Sequence, residues 1–441
     1  MLLVGNGKLI TRDQGAFYEN GAVAIEGNRI AEVGDFAAMQ KKYPNAGFID
    51  AHGGVIMPGL INAHNHIYSA FARGLAIKGY NPKNFNDILE GMWWTIDRKL
   101  TAENNTLSAE ATFIDCIKNG VTTVFDHHAS YTDIEGSLDC IADAATKYGV
   151  RASLCYEVSD RDGEKRMREA VLENERFILK AQKDESDMLK GMMGLHASFT
   201  LSDETLTYVN EHRHGAGCHI HVAEGPADVA DSLHKYGKRI VPRLYDLDIL
   251  GSNTLAVHCV HISPAEIALL KETGTMCVHN PESNMGNAVG CGPVLNMFHA
   301  GIPIGLGTDG YTNDMLESFK VANILQKHNL CDPTVAWGEI PAMLFENNRT
   351  IAGRFFNQPL GVLKKGAYAD VIVTDYDPLT PMTKNNVNGH ILFGMNGRSC
   401  VTTICNGRVL MQDRKLLVAD EKLVMAECRR SAEKLWNSIN G

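Results

Sequence analysis

Among the 11 cysteines there is no Cys-x-x-Cys pair; their number is odd and their positions are scattered. That pattern reads as free thiols in a reducing cytosol. No run of basic residues offsets the formal charge of −10, so nothing draws the chain to nucleic acid or to an anionic membrane. No apolar run is long enough to cross a bilayer. Met1 to Ile10 lacks the charged start, long apolar stretch and small-residue cleavage site of a signal peptide. A cytoplasmic protein is the expectation. Internal repeats and low-complexity segments are also missing.

What is present is a 441-residue chain, 44% hydrophobic, enough for a large core and for more than one compact domain. Both ends read as β-structure. Ala22 to Glu26 and Arg29 to Val33 alternate around Gly27-Asn28, a two-residue hairpin turn. Near the other end Ala369 to Thr374 reads as a strand, and Val401 to Cys405 pairs with Arg408 to Met411 across Asn406-Gly407. An amphipathic helix follows from about Asp420 to Ile439. Between the ends, short apolar strands alternate with helical stretches: Val55–Asn62, Val121–Asp126, Arg151–Tyr156, Met192–His196, Cys218–Val222, Thr254–His258, Met276–His279 and Ile302–Gly307. Eight such strands predict an α/β fold, a (β/α)8 TIM-like barrel, with a doubly wound sheet as the alternative. The barrel is preferred because six of the eight strands end at or beside His or Asp, and barrel chemistry collects at strand C-termini. The expected division is a barrel over residues 57–357 and a small β-sandwich domain from residues 1–56 and 358–441, the latter carrying the terminal helix. The connection from Ile67 to Leu100 shows little strand or long-helix pattern and carries Arg73, Trp93 and Trp94, as a pocket wall would.

The first strand ends in His64-Asn65-His66. Residues i and i+2 of a strand share a side, so both imidazoles can reach one ion. His221 closes another apolar strand, with Glu224 three residues on, and Asp309 follows the last strand in Gly-Leu-Gly-Thr-Asp-Gly. Three imidazoles and a carboxylate suit Zn²⁺ or Fe²⁺ better than the oxygen-seeking Mg²⁺ or Ca²⁺.

Pro-Gly-Leu-Ile-Asn-Ala-His-Asn-His from Pro58, then His-Val-Ala-Glu from His221, His-Cys-Val-His from His258, His-Asn-Pro-Glu-Ser-Asn from His279 and Gly-Thr-Asp-Gly from Gly307 resemble the amidohydrolase superfamily, in its cytosine/guanine deaminase and triazine hydrolase branch. Within it, Trp93-Trp94-Thr-Ile-Asp-Arg and Thr-Val-Phe-Asp-His-His-Ala-Ser are most similar to the SsnA-type aminohydrolases. The resemblance spans nearly the whole chain and includes the small domain's Gly361-Val-Leu-Lys-Lys-Gly-Ala-Tyr-Ala-Asp-Val-Ile-Val. It implies that His64, His66, His221 and Asp309 hold the metal, that Glu224 is the general acid/base, and that His258 orients and polarises the reacting group. It also implies a small heterocyclic substrate, a place in purine catabolism and a homodimer or higher homo-oligomer. Two-metal members of the superfamily carry a bridging lysine at the end of the fourth strand. Here that strand ends Gly194-Leu-His196-Ala-Ser-Phe, and Lys190 precedes it, so one divalent metal per chain is predicted, Zn²⁺ before Fe²⁺.

A divalent cation lowers the pKa of bound water, so hydroxide is available at pH 7 to attack an electron-poor ring carbon. Asp309 can accept the water proton, Glu224 can protonate the adjacent ring nitrogen, and His258 can stabilise the tetrahedral centre. The predicted reaction is deamination of a purine-, pteridine- or pyrimidine-like ring. The alternatives are triazine-type dechlorination, which the presence of Glu224 disfavours, hydrolysis of a cyclic amide, and a non-catalytic scaffold, which the intact ligand set disfavours. For the pocket, Arg73, Trp93, His127, His128, His196 and Asn284 are candidate substrate contacts, with Trp94, His279, Glu282 and Tyr311 as weaker ones. His261 reads as a structural loop residue.

Overall fold

The computed structural model describes residues 1–441. From the N-terminal end come β1 (Leu2–Ile10), β2 (Phe17–Glu26), β3 (Arg29–Asp35), β4 (Gly47–Asp50) and β5 (Val55–Pro58). The middle of the chain supplies β6 (Leu60–Asn65), β7 (Val121–His128), β8 (Arg151–Tyr156), β9 (Leu189–Gly191), β10 (Met193–Ala197), β11 (Cys218–Val222), β12 (Leu255–His258), β13 (Met276–His279) and β14 (Ile304–Leu306). The C-terminal part adds β15 (Val371–Thr374), β16 (Cys400–Cys405), β17 (Arg408–Gln412) and β18 (Lys415–Leu416).

Strands from both ends form one sheet, ordered β18-β17-β16-β15-β5-β1-β2-β3, with β4 also paired to β1. Both anticipated hairpins are present. Glu26 stands opposite Arg29, and Cys405 opposite Arg408. Asn406 and Gly407 have φ of 51° and 77°, as a type I′ turn requires. A Cβ on Gly407 would lie 2.0 Å from the Gly27 carbonyl oxygen, so the two hairpin turns touch and this position needs glycine twice over.

The middle strands are all parallel, in the runs β6-β7-β8-β9 and β10-β11-β12-β13-β14. Their interiors are buried along almost every residue, as expected of parallel strands covered on both faces. β9 and β10 are one strand in the chain, interrupted at Met192 where pairing passes from β8 to β11. The two runs also meet at both edges. Asn65 bridges to Asp309, and the Thr308 and Asp309 amides donate to the His64 carbonyl, each at 3.0 Å. Val158 bridges to Leu195 at the other edge.

Two differences from the sequence reading have simple causes. The predicted strand Val55–Asn62 is two strands, broken at Gly59, whose amide turns aside to the Asp370 carbonyl; Val55–Pro58 belongs to the terminal sheet and Leu60–Asn65 to the parallel one. The connection Ile67–Leu100 holds more helix than its pattern suggested. A 3-10 helix spans Ile67–Ala72, and Phe85–Asp97 is helical throughout, with a π turn over Leu89–Trp93. That widened turn shifts the apolar period, which hides the helix from a 3.6-residue template.

The terminal helix Glu421–Asn440, capped by Asp420, lies on the helix Ala102–Lys118. Asn104 donates to Ser431 at 2.8 Å, and Trp436 donates its indole N–H to the Phe71 carbonyl at 2.7 Å. All 11 cysteines are free thiols. No helix is long and apolar enough to cross a membrane.

Candidate active site

The C-terminal ends of β6, β11, β12 and β14 bring His64, His66, His221, His258 and Asp309 together. Each imidazole is held from behind. His66 Nδ1 donates to the His127 carbonyl at 2.6 Å, and His221 Nδ1 to the His196 carbonyl at 2.9 Å. His64 Nδ1 meets His219 Nε2 at 2.8 Å. With their Nδ1 protons so used, neutral His66 and His221 present bare Nε2 lone pairs to each other, 3.2 Å apart. His64 Nε2 is buried with no partner at all. Burial pushes the His64 and His221 imidazoles well below the usual histidine range, with neighbouring histidines adding to it. Facing lone pairs repel unless a cation lies between them, so the donor set fits a divalent metal. Asp309 completes it, 3.5 Å from His66 and 3.9 Å from His64.

Close packing makes this convergence possible. A Cβ on Gly307 would sit 2.8 Å from the His64 backbone nitrogen, so glycine lets β14 approach β6. Asp309 and His258 take left-handed φ values of 55° and 69°. Such conformations cost a non-glycine residue about 1–3 kcal/mol and are tolerated where the surroundings over-determine them. Ser283 Oγ donates to Asp309 at 2.9 Å, and the Gly310 amide donates to it at 2.5 Å.

Beside the ligand set, Glu224 lies 3.4 Å from His258 Nε2, which is 3.5 Å from Asp309. Burial, with the Asp309 charge behind it, pushes the Glu224 carboxyl well above the usual range. A proton can therefore reside there at neutral pH, as a proton carrier requires. Asn284 is not in the cavity. It stands behind His258, its Oδ1 accepting from His258 Nδ1 at 2.8 Å. It fixes the tautomer that puts a proton on Nδ1 and leaves Nε2 facing the carboxylates.

An inner cavity of about 40 Å³ adjoins these groups, lined by Tyr68, Glu157, His196, Glu224, Asn287 and Asp309 among others. Phe85, Leu89, Trp93 and Trp94 roof it, from the helical stretch with the π turn. His196 and Trp94 meet there edge to face, with centroids 6.0 Å apart. His127 and His128 line no part of it. His127 is packed among the site imidazoles, its Nε2 on the Leu195 carbonyl at 3.1 Å. His128 turns to Ser130 at 2.9 Å between Tyr68 and Tyr156. Arg73 also lies outside: its side chain is 78% exposed and 3.9 Å from Asp115. Together with Tyr311 it borders a second cavity of about 900 Å³ beside the terminal helix, which His66, Trp93, Asp309 and Gly310 also line, as they do the first. Glu282 is buried towards Ser318 and pushed up to about 7 by burial; His279 is buried behind His258. His261 is tied to the Val289 carbonyl at 2.7 Å, as a structural residue is.

Two residues of the site escaped the sequence reading. His219 is one alternation before His221 on β11, and the His-x-His spacing that singled out β6 recurs there. Glu157, just past β8, is 3% exposed and pushed up to about 8 by burial, with Arg161 acting the other way. Its signal was a carboxylate beside the end of an apolar strand.

The family model described as "Amidohydrolase family" matches residues 55–410, and an "Imidazolonepropionase-like composite domain, bacteria" matches residues 21–46. A 5′-deoxyadenosine deaminase of Methanosarcina mazei is 34% identical over 100% of this chain and 99% of its own. A 5-methylthioadenosine/S-adenosylhomocysteine deaminase of Thermococcus onnurineus is 33% identical over 89% of this chain and 90% of its own. Among solved structures, a zinc-bound adenosine deaminase from Xanthomonas campestris superposes with a TM-score of 0.88 at 22% identity, covering 99% of this chain and 98% of that one. An Escherichia coli guanine deaminase gives 0.80 at 18% identity, covering 93% of this chain and 100% of that one.

Proposed function

Because the chain belongs to the amidohydrolase family, we propose to read this site as that of a metal-dependent aminohydrolase that releases ammonia from a purine-like heterocycle. The carrying observation is the pair of bare imidazole nitrogens of His66 and His221, 3.2 Å apart, with His64 and Asp309 beside them and Glu224 next in line. His64, His66, His221 and Asp309 would hold one Zn²⁺ per chain. Bound there, the ion would supply a water acidic enough to ionise near neutral pH. Asp309 is the acceptor for the water proton. Glu224, held neutral by burial, gives a proton to the ring nitrogen beside the reacting carbon and later helps ammonia leave. His258, fixed by Asn284, turns Nε2 to Glu224 and Asp309 and orients the reacting group between them.

The parallel strands, joined at both edges, support reading residues 57–357 as a closed (β/α)8 barrel, with residues 1–56 and 358–441 as a separate β-domain. Glu224 favours ammonia over chloride as the leaving group, because an amine must be protonated to depart and chloride need not be. A screen of the zinc-loaded protein for ammonia release from 5′-deoxyadenosine, 5-methylthioadenosine, S-adenosylhomocysteine, guanine, cytosine and pterins tests the reading. Release from at least one purine-like ring is expected; release from none, with zinc fully bound, overturns it.

A further inference from the structure

The inner cavity is too small for a whole substrate. At about 40 Å³ it has room for about three waters. Sites for small organic ligands span roughly 300–1,000 Å³. The larger cavity, of about 900 Å³, falls in that range and reaches the same reacting groups. His66, Trp93, Asn287, Asp309 and Gly310 line both. A ring set against Glu224 and Asp309 thus has the larger space open to its substituent.

The lining of that space is apolar with charge at a few points. Phe71, Met92, Trp93, Met425 and Trp436 supply the apolar part. Trp436 is tied to the Phe71 carbonyl through its indole N–H, which joins the terminal helix to the 3-10 helix Ile67–Ala72. The charged groups differ in how they are engaged. Lys118 is held by Glu421 at 2.5 Å. Asp115 accepts from Asn119 at 3.2 Å on one oxygen and from Asn313 at 2.9 Å on the other. Asp309 accepts from Ser283 and the Gly310 amide. Each carboxylate on the lining therefore already meets a donor. The arginines do not meet acceptors. Arg73 comes no closer to Asp115 than 3.9 Å, beyond hydrogen-bond reach. Arg429, exposed on the terminal helix, is in no ion pair. Away from the metal ligands, the cations Arg73, Lys118 and Arg429 outnumber the anions Asp115 and Glu421 by one.

We propose that this cavity is the subsite for a substituent of the heterocycle that has an apolar stem and ends in a single carboxylate. Phe71, Met92, Met425 and Trp436 cover the stem, and the guanidiniums of Arg73 and Arg429 receive the carboxylate, whose planar geometry matches theirs. The excess of one cation suits one negative charge. The inference rests on the aminohydrolase reading for the ring, but the subsite stands on the walls of the cavity itself. Arg73 and Arg429 act as specificity-determining residues, remote from the proton carrier Glu224.

Titration calorimetry on the zinc-loaded protein tests this without turnover. The probes are hypoxanthines, already deaminated, carrying a butyl or a carboxybutyl chain on either the five-membered or the six-membered ring. For one attachment point the carboxybutyl probe should bind about five- to tenfold tighter, as two partly exposed ion pairs allow, and the gain should shrink as salt is raised. Arg429→Glu should reverse the preference and Arg73→Gln should reduce it, with zinc content and binding of the butyl probe near the parent's. Both side chains are exposed, so neither change threatens the fold. Equal binding of butyl and carboxybutyl probes at both attachment points, or no binding of any probe, overturns the proposal. So do variants that discriminate as the parent does. A second copy of the chain filling the cavity would appear as a change of solution mass in Arg429→Glu with probe binding unaltered, and that result also overturns it. If the carboxylate is read but no heterocycle yields ammonia, the subsite stands and the deaminase reading falls; ammonia release with no gain from the carboxylate does the opposite.

Discussion

At the scale of single residues, the site separates two carboxylates by their surroundings. Asp309 accepts from Ser283 Oγ and from the Gly310 amide. Burial and the Asp309 charge push the Glu224 carboxyl well above the usual range. A reaction that first removes and then delivers a proton needs one carboxyl group that accepts and another that holds a proton. Glu224→Gln keeps the shape and the metal ligands but cannot carry the proton. Ammonia release should fall about 10²–10⁴-fold, with zinc content and thermal midpoint near the parent's. Activity within a few-fold of the parent would remove Glu224 from the proton path.

At the scale of elements, what the sequence disclosed follows from strand geometry. His64 and His66 were legible because a period of two places both on one side, and Asp309 and His221 because apolar strands end at them. Arg73 follows the first strand closely, and the 3-10 helix Ile67–Ala72 carries it to the larger cavity, which His66 and Asp309 also line, rather than to the inner one. Asn284 was misplaced because the short helix Pro281–Gly286 points it at His258 rather than at the opening. Neither helical turn has a periodic signature long enough to read. The roof is the converse case, a real helix masked by its π turn. Its Trp94 packs between Arg161 and His196 and so couples the roof to the cavity wall. Trp94→Ala removes one face from each. Aromatic contacts of this kind are worth about 0.5–1.5 kcal/mol, so kcat/KM should drop by roughly two- to twelvefold without loss of zinc. A changed oligomeric state or lowered thermal midpoint with normal kcat/KM would instead make Trp94 a structural anchor.

At the scale of the whole molecule, the metal site lies where the two runs of parallel strands meet. Asp309 sits on β14's side of the Asn65–Asp309 bridge, and His64 and His66 come from β6 on the other. His221 and His258 belong to β11 and β12, within the second run. A cation held by His64, His66, His221 and Asp309 would tie the strands together across that junction, and it would also relieve the lone-pair repulsion between His66 and His221. Removing it should therefore be felt as stability as well as activity. A ligand bound only by the folded state stabilises it by RT ln(1 + [L]/Kd), about 4 kcal/mol at a thousandfold excess over Kd. Dialysis against a chelator should abolish ammonia release and lower the thermal midpoint by several degrees, on the scale of roughly 2–4 °C per kcal/mol for domains of moderate size. Because no lysine stands at the end of β10 to bridge a second ion, both properties should return together on titration with Zn²⁺ and level off near one equivalent per chain. Recovery that needs two equivalents would assign a second ion, with His127 and Glu157 the groups placed to share it beside His221. An unchanged thermal midpoint after complete loss of zinc would mean that the strands hold the imidazoles in place unaided, with their lone pairs satisfied by water.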